Sequence, residues 1–209
     1  MSAALCVFVS CASVKPAEKD TLFQVATLQS LMLGYYDGVS NVGELRRNGS
    51  IGIGCFEGVN GELIMLDGTV YQAIYDGSIK TPDDATKIPF ANATLFKSNI
   101  SARLENIDSL ETLKKQLNEV VEKNGRNLFY FVRIDGDFET TNFRSEYAQE
   151  KPYKPLAKAM ETDPTFFRTS KCFWYDCWSL LPGLYGQAEH SRLALPLYHR
   201  RQKNGRSSS

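Results

Sequence analysis

The sequence predicts an α+β chain: mixed, mostly antiparallel β-sheets with a few helices. Three patterns carry that expectation. Between residues 51 and 80, short apolar runs are punctuated by one Asn-Gly and two Asp-Gly pairs. Residues 108–125 place apolar side chains at helical spacing between a capping signal and a glycine. Residues 127–144 repeat the arrangement of run, Asp-Gly and run that makes a hairpin.

Taken in order, the chain begins with "AALCVFVSCAS", a short apolar run followed by small residues and Cys11, and then the polar linker "VKPAEKD". This resembles the end of a secretion signal, in particular a bacterial lipoprotein signal with Cys11 as the lipid-carrying residue, although a basic front end is missing. A start codon chosen too far downstream accounts for that loss. The expected location is therefore secreted or cell-envelope, with a possible lipid anchor. The competing reading is a frayed apolar terminus on a cytoplasmic protein. No stretch is long enough to span a bilayer as a helix.

"LFQVATLQSLML", residues 22–33, has apolar groups at helical spacing and is stopped by Gly34, which predicts a short amphipathic helix. The segment 51–80 predicts a β-meander, because Asn-Gly and Asp-Gly favour the positive φ of tight turns. In "DSLETLKKQLNEVVEKNG", Asp108 and Glu111 have capping-box spacing. Leu110, Leu113, Leu117 and Val120 or Val121 form one apolar face, and Gly125 closes the helix in a left-handed conformation. "NLFYFVRIDGDFETTNFR" predicts a hairpin turning at Asp135-Gly136.

The overall charge of zero hides two opposite stretches. Up to Phe167 there are 17 Lys+Arg against 22 Asp+Glu; from Arg168 onward there are 7 against 2. Net neutrality gives no reason to expect nucleic acid as a partner, and the basic end "HRRQKNGRSSS" reads as a solvated terminus. Five cysteines, Cys6, Cys11, Cys55, Cys172 and Cys177, are odd in number and irregularly spaced, so they describe neither a disulfide framework nor a zinc knuckle. Both tryptophans, Trp174 and Trp178, and both histidines, His190 and His199, lie beyond Phe167. The chain thus divides into a signal-like stretch 1–20, a region 21–167, and a tail 168–209 of different character.

Taken alone, Glu62 in "GELIMLDGTVYQ" is a glutamate entering a strand beside a turn, and Arg144 in "FRSEYAQEKPYKPL" is a strand-end cation before an extended Pro-containing segment. Neither would justify a catalytic role by itself. Together, "LFQVATLQSLMLGYYDG", "GELRRNGSIGIGCFEGVNGELIMLDGTVYQ", "IPFANATLF", "NLFYFVRIDGDF" and "RSEYAQEKPYKPL" stand in the order and spacing of bacterial acetolactate decarboxylase. The region from about 21 to 167 resembles that family.

The resemblance implies conversion of 2-acetolactate to acetoin and carbon dioxide, with zinc on three histidines beside a glutamate and an arginine. By motif match these two would be Glu62 and Arg144. Cys55 stands in the substrate pocket where the family usually has threonine, a change that keeps the size but weakens the hydrogen bond. The chemistry needs such groups: losing carbon dioxide leaves an electron pair on an enediolate, which a Lewis acid stabilises, while a guanidinium holds the carboxylate and a carboxyl group handles the proton. The resemblance also implies a homodimer.

The family's zinc ligands form a His-x-His pair with a third histidine about eleven residues later, after Gly-Gly. This chain has no His-x-His, and two unplaced histidines do not replace three imidazoles. No metal ligand is therefore assigned, and tight zinc binding is not expected. The tail instead reads as translated out of frame. Advancing the frame by one nucleotide turns Trp174-Tyr175 and Trp178-Ser179 into two forced glycines four apart, as the family has there. Leu193–Leu197 has an encoding whose shifted reading is Trp-His-Tyr-His, and the following residues permit Ile-Thr-Glu-Asp-Lys-Lys-Thr-Gly-Gly-His.

One extra T in the codons of Phe166-Phe167 would produce the break. Regular structure is then expected to end near Phe167. The functional expectation is an acetolactate decarboxylase impaired by loss of its metal ligands. The alternative is a non-catalytic, envelope-anchored binding or interaction protein on the same scaffold.

Overall fold

A computed structural model describes residues 20–161 and 165–180 of the chain. The signal-like stretch with Cys6 and Cys11, and both His190 and His199, lie outside the described residues. Strand β1 (Phe23–Val25) is followed by helix α1 (Leu28–Met32), capped by Thr27, whose hydroxyl accepts from the Ser30 amide at 3.2 Å. The single helix expected over 22–33 is thus divided. Its first residues pair antiparallel with a later strand, because the core they reach there buries Val25, and burial outweighs local helical spacing. Gly34 does end the helix, at φ +93.

Next come β2 (Ser40–Asn41) and α2 (Val42–Asn48), capped by Asn41, whose side chain accepts from the Glu44 amide at 2.9 Å. The meander follows as expected: β3 (Ile51–Cys55), a 3-10 turn at Glu57–Val59, β4 (Glu62–Leu66), β5 (Thr69–Ala73) and β6 (Ile79–Lys80). Asp67 at φ 48 and Gly68 at φ 79 make a two-residue hairpin turn, the conformation that Asp-Gly favours. Then β7 (Lys87–Ile88) pairs with β2, and β8 (Phe90–Thr94) inserts between β1 and β3. The result is a six-stranded antiparallel sheet in the order β1-β8-β3-β4-β5-β6.

Helix α3 (Leu110–Asn124) forms where the periodicity places it and buries Leu113, Leu117 and Val121. Its cap is Ser109 rather than Asp108. The Ser109 hydroxyl accepts from the Thr112 amide at 3.1 Å, while Asp108 accepts from the Thr112 hydroxyl at 2.7 Å. Gly125 closes the helix at φ 118, ψ 129, a positive-φ but extended conformation that leads the chain away.

Strand β9 (Tyr130–Ser145) then runs straight through Asp135-Gly136, so the expected hairpin does not form there. Both residues stay in the ladder of a two-stranded ribbon, opposite Tyr175 and Trp174 of β10 (Thr165–Leu180). The short helix α4 (Leu156–Ala159) lies between the two strands in sequence. Regular structure therefore continues past Phe167 to Leu180, because a run rich in Phe, Trp, Tyr and Cys suits a ladder whatever its origin.

The sheet has two covered faces. On one, Leu63, Met65, Val70, Ala91 and Ala93 pack with Val42 and Leu45 of α2. Gly54 lets β3 and β8 approach closely there, since a Cβ would lie 2.3 Å from the Phe90 carbonyl oxygen. On the other face, Ile51 and Ile53 pack with Phe131 of β9, and α3 covers Val132 and Ile134. The Asp67 carboxylate accepts from Arg133 at 3.2 Å, tying the ribbon to the β4–β5 turn. Among the described residues no helix is long and apolar enough to cross a membrane.

Candidate active site

The last residue of β3 and the first of β4 are paired directly: Cys55 faces Glu62, with Phe90 of β8 beyond the one and Ala73 of β5 beyond the other. Alternation along each strand puts Cys55, Ile53, Glu62 and Ile64 on the face turned toward the ribbon. Gly61 makes this register possible. It has φ +79, and a Cβ there would lie 2.3 Å from the Ala73 carbonyl oxygen.

The end of β9 meets the same corner. Ser145, 1% exposed, donates its hydroxyl to the Ala73 carbonyl at 2.9 Å, and the Gln149 amide donates to the Gly58 carbonyl at 2.7 Å. The strap between these anchors is thereby pinned to β5 and to the β3–β4 turn, one on each side of Glu62. Arg144 and Glu146 flank Ser145, and the Arg144 Nε lies 3.5 Å from Glu146 Oε1. The structure thus brings Cys55, Glu62 and Arg144 together, although they come from three different strands.

Electrostatics at this corner favour uncharged acids. Glu62 is pushed up to about 8, first by burial and then by the nearby Glu146 charge, which together outweigh the Arg144 guanidinium. The residue is half-buried as a whole. Glu146, 8% exposed, is also raised, by burial against the opposing pull of Arg144. Burial and the neighbouring Glu62 push the Cys55 thiol far upward despite a backbone hydrogen bond at Phe90, so it stays a neutral thiol. Tyr36 is fully buried, with its hydroxyl unpartnered, and burial together with Cys55 raises it to about 12. It packs with Cys55, Val59 and Phe90, and its ring lies 5.1 Å from that of Tyr153.

At neutral pH the corner therefore offers a proton on Glu62 and a fixed cation on Arg144. That pair can hold a carboxylate and protonate a carbanion-like centre.

The sequence reading missed Glu146 and Tyr36. For Glu146 a signal existed: two residues beyond Arg144 in an extended chain is the same side. For Tyr36 no local pattern separates it from the exposed Tyr35 beside it. A cleft of about 1800 Å³ lies elsewhere, along α3 and the first half of β9, and contains none of these groups.

As a metal centre the corner fits poorly. Among the described residues no group of three or more His, Cys, Asp or Glu side chains is placed to hold a metal ion.

Comparison with known proteins gives a consistent result. The family model described as alpha-acetolactate decarboxylase matches residues 22–172. The chain is 40% identical over 147 residues to the alpha-acetolactate decarboxylase of Methanosarcina mazei, covering 70% of this chain and 50% of that one. It is 36% identical over 145 residues to that of Bacillus subtilis, covering 69% and 56%. The crystal structure of alpha-acetolactate decarboxylase from Bacillus subtilis strain 168 superposes with a TM-score of 0.69 at 33% identity, over 78% of this chain and 68% of that one. A Staphylococcus aureus protein of unknown function, described as similar to that enzyme, gives 0.69 at 26% identity, over 79% and 69%. The chain spans about half the length of the curated relatives it matches, from 50% to 60% in the first three.

Proposed function

The chain belongs to the alpha-acetolactate decarboxylase family, and on that premise we propose that its site binds 2-acetolactate for decarboxylation to acetoin. The observation that carries this reading is the meeting of Glu62, whose carboxyl burial pushes up to about 8, with the guanidinium of Arg144 at one corner of the sheet. Arg144 receives the substrate carboxylate. The bond from that carboxylate to the hydroxyl-bearing carbon breaks, carbon dioxide leaves, and the electron pair moves into the adjacent ketone as an enediolate. Glu62 then gives its proton to the carbon that lost the carboxylate, forming acetoin, and recovers a proton from water. Cys55, a neutral thiol across from Glu62, borders the space as a weak donor.

The zinc that the resemblance implies belongs, in this reading, to an in-frame product with three histidines. The 209-residue chain is then impaired: it binds substrate but turns it over slowly. The tail from about Arg168 is read out of frame, a view supported by the change of composition there. The extracellular location and Cys11 lipidation suggested by the amino terminus, and a homodimer, are parts of the same proposal.

Purified protein assayed with 2-acetolactate, with and without added zinc, tests it. Deleting one nucleotide in the codons of Phe166-Phe167 should restore stoichiometric zinc and acetoin formation. Both Glu62→Gln and Arg144→Gln should abolish the restored activity, with Arg144→Gln weakening binding of a non-reactive hydroxy-keto acid by about 2 kcal/mol. Stoichiometric zinc and rapid turnover in the uncorrected chain would refute the frame reading. Affinity without turnover in both forms would favour the envelope-anchored binding protein.

A further inference from the structure

Glu146 is a buried carboxyl group at this corner that the proposed chemistry does not use. It is 8% exposed, and its Oε1 has no hydrogen-bond partner. The ion-pair contact it makes, to Arg144 Nε at 3.5 Å, is longer than the roughly 2.8 Å of a charge-assisted hydrogen bond, so the pair does not satisfy the carboxylate. Leaving a carboxylate so placed is costly, and a purely structural side chain gains nothing from it.

Its position is nevertheless tightly fixed. The Ser145 hydroxyl holds the preceding residue on Ala73, the cross-strand partner of Glu62, and the Gln149 amide holds the strap on Gly58. Two carboxyl groups and one guanidinium are thus confined at one corner, with too little positive charge to neutralise both acids.

We propose that Glu146 is a positioning residue for this site, a buried counter-charge that seats Arg144 and by like-charge repulsion reserves the proton for Glu62. The inference rests on the assignment of Glu62 and Arg144 to the site made above. The groups facing Glu62 are Glu146 and Arg144 from the end of β9 and Cys55 from β3, with Tyr36 behind Cys55. Cys55 and Tyr36 remain neutral across the working range, which leaves Glu146 as the negative charge that acts on the Glu62 proton. The corner then works as a divided pair: Glu146 carries the charge that balances Arg144, and Glu62 carries the proton. A ligand carboxylate that takes Arg144 away from Glu146 strengthens the hold of Glu62 on its proton until the carboxylate is lost.

The test is a pH titration by NMR of the full chain, labelled with ¹³C at the glutamate side-chain carboxyl, with Glu62→Gln removing and so assigning the Glu62 resonance. In the unmutated chain that resonance should titrate near pH 8. In Glu146→Gln it should move toward acid by roughly one pH unit, and in Arg144→Gln it should move the opposite way. A folded Glu146→Gln with an unchanged Glu62 midpoint overturns the proposal, because a merely structural role would alter stability and leave that midpoint alone.

If Glu146→Gln fails to fold, the unmutated chain decides: the Glu62 resonance must show a second, smaller inflection as Glu146 ionises. A single step, or a midpoint in the ordinary glutamate range, also overturns it. Acetoin formation plays no part in this readout. A chain inert toward 2-acetolactate leaves the inference standing, and an active chain with an uncoupled Glu62 sinks it alone.

Discussion

The six-stranded sheet buries side chains on both faces and draws its strands from the first half of the chain, residues 23–80 and 90–94. The β9–β10 ribbon pairs two long strands with each other and rests on the sheet through contacts that include Phe131 against Ile51 and Ile53, Phe167 against Gly77, Arg133 to Asp67, and Ser145 to Ala73. The sheet carries Cys55 and Glu62, whereas the ribbon carries Arg144 and Glu146. Stability is therefore concentrated in one partner, and the site exists only where the other docks onto it. A damaged ribbon should disable the corner while the sheet stays folded.

The largest expected effect lies inside the sheet. Leu63→Ala removes a side chain that is 0% exposed under α2 and should cost about 3 kcal/mol in urea denaturation. Leu117→Ala, which cuts the cover of α3 on the ribbon, should cost less, about 2 kcal/mol, because Leu117 is 8% exposed and its neighbours can relax. Equal losses would break the contrast between the two regions.

Ser145→Ala tests the docking itself. Losing its hydrogen bond to the Ala73 carbonyl should cost about 1.5 kcal/mol and leave that carbonyl buried without the donor. It should also raise amide exchange in 144–149 while the exchange of β3 and β4 stays as it was. Exchange that rises equally in both places would mean that the ribbon is part of one cooperative core.

The raised Glu62 sets a pH dependence whose sign follows from linkage. Its folded value, about 8, exceeds its ordinary value of 4.5, so between the two the folded chain holds more protons than the unfolded one. Stability contributed by this group is present below about 4.5 and falls as pH rises through 8. The slope should stay below about 1.4 kcal/mol per pH unit, the limit for a difference of one bound proton. Denaturation at several pH values should show the decline, and Glu62→Gln should flatten it. The smallest effect is far from the site: Ser109→Ala removes the α3 cap and should cost about 1 kcal/mol or less.

Where the sequence was legible, the signal was local. Asp67-Gly68 turns the chain because its positive φ values need no distant partner, and Leu113, Leu117 and Val121 mark the buried face of α3 by spacing alone. Asp135-Gly136 has the same composition as Asp67-Gly68 and still lies flat in β9, because the ladder to β10 holds it extended. The cap at Ser109 rather than Asp108 was decided by which side-chain oxygen reaches the Thr112 amide. Phe23–Val25 gave up helical spacing for pairing with β8.

The site divides in the same way. Turn chemistry and helical period are properties of short stretches, and the sequence by itself determined them; Cys55, Glu62 and Arg144 were singled out by the family resemblance that joins several such stretches. The meeting of Glu62 with Arg144, the burial of Glu146 between two anchored residues and the neutral state of Cys55 were decided only by tertiary structure. The reason is that desolvation and charge coupling depend on what surrounds a group in space. Those surroundings come into being when the ribbon closes over the second face of the sheet.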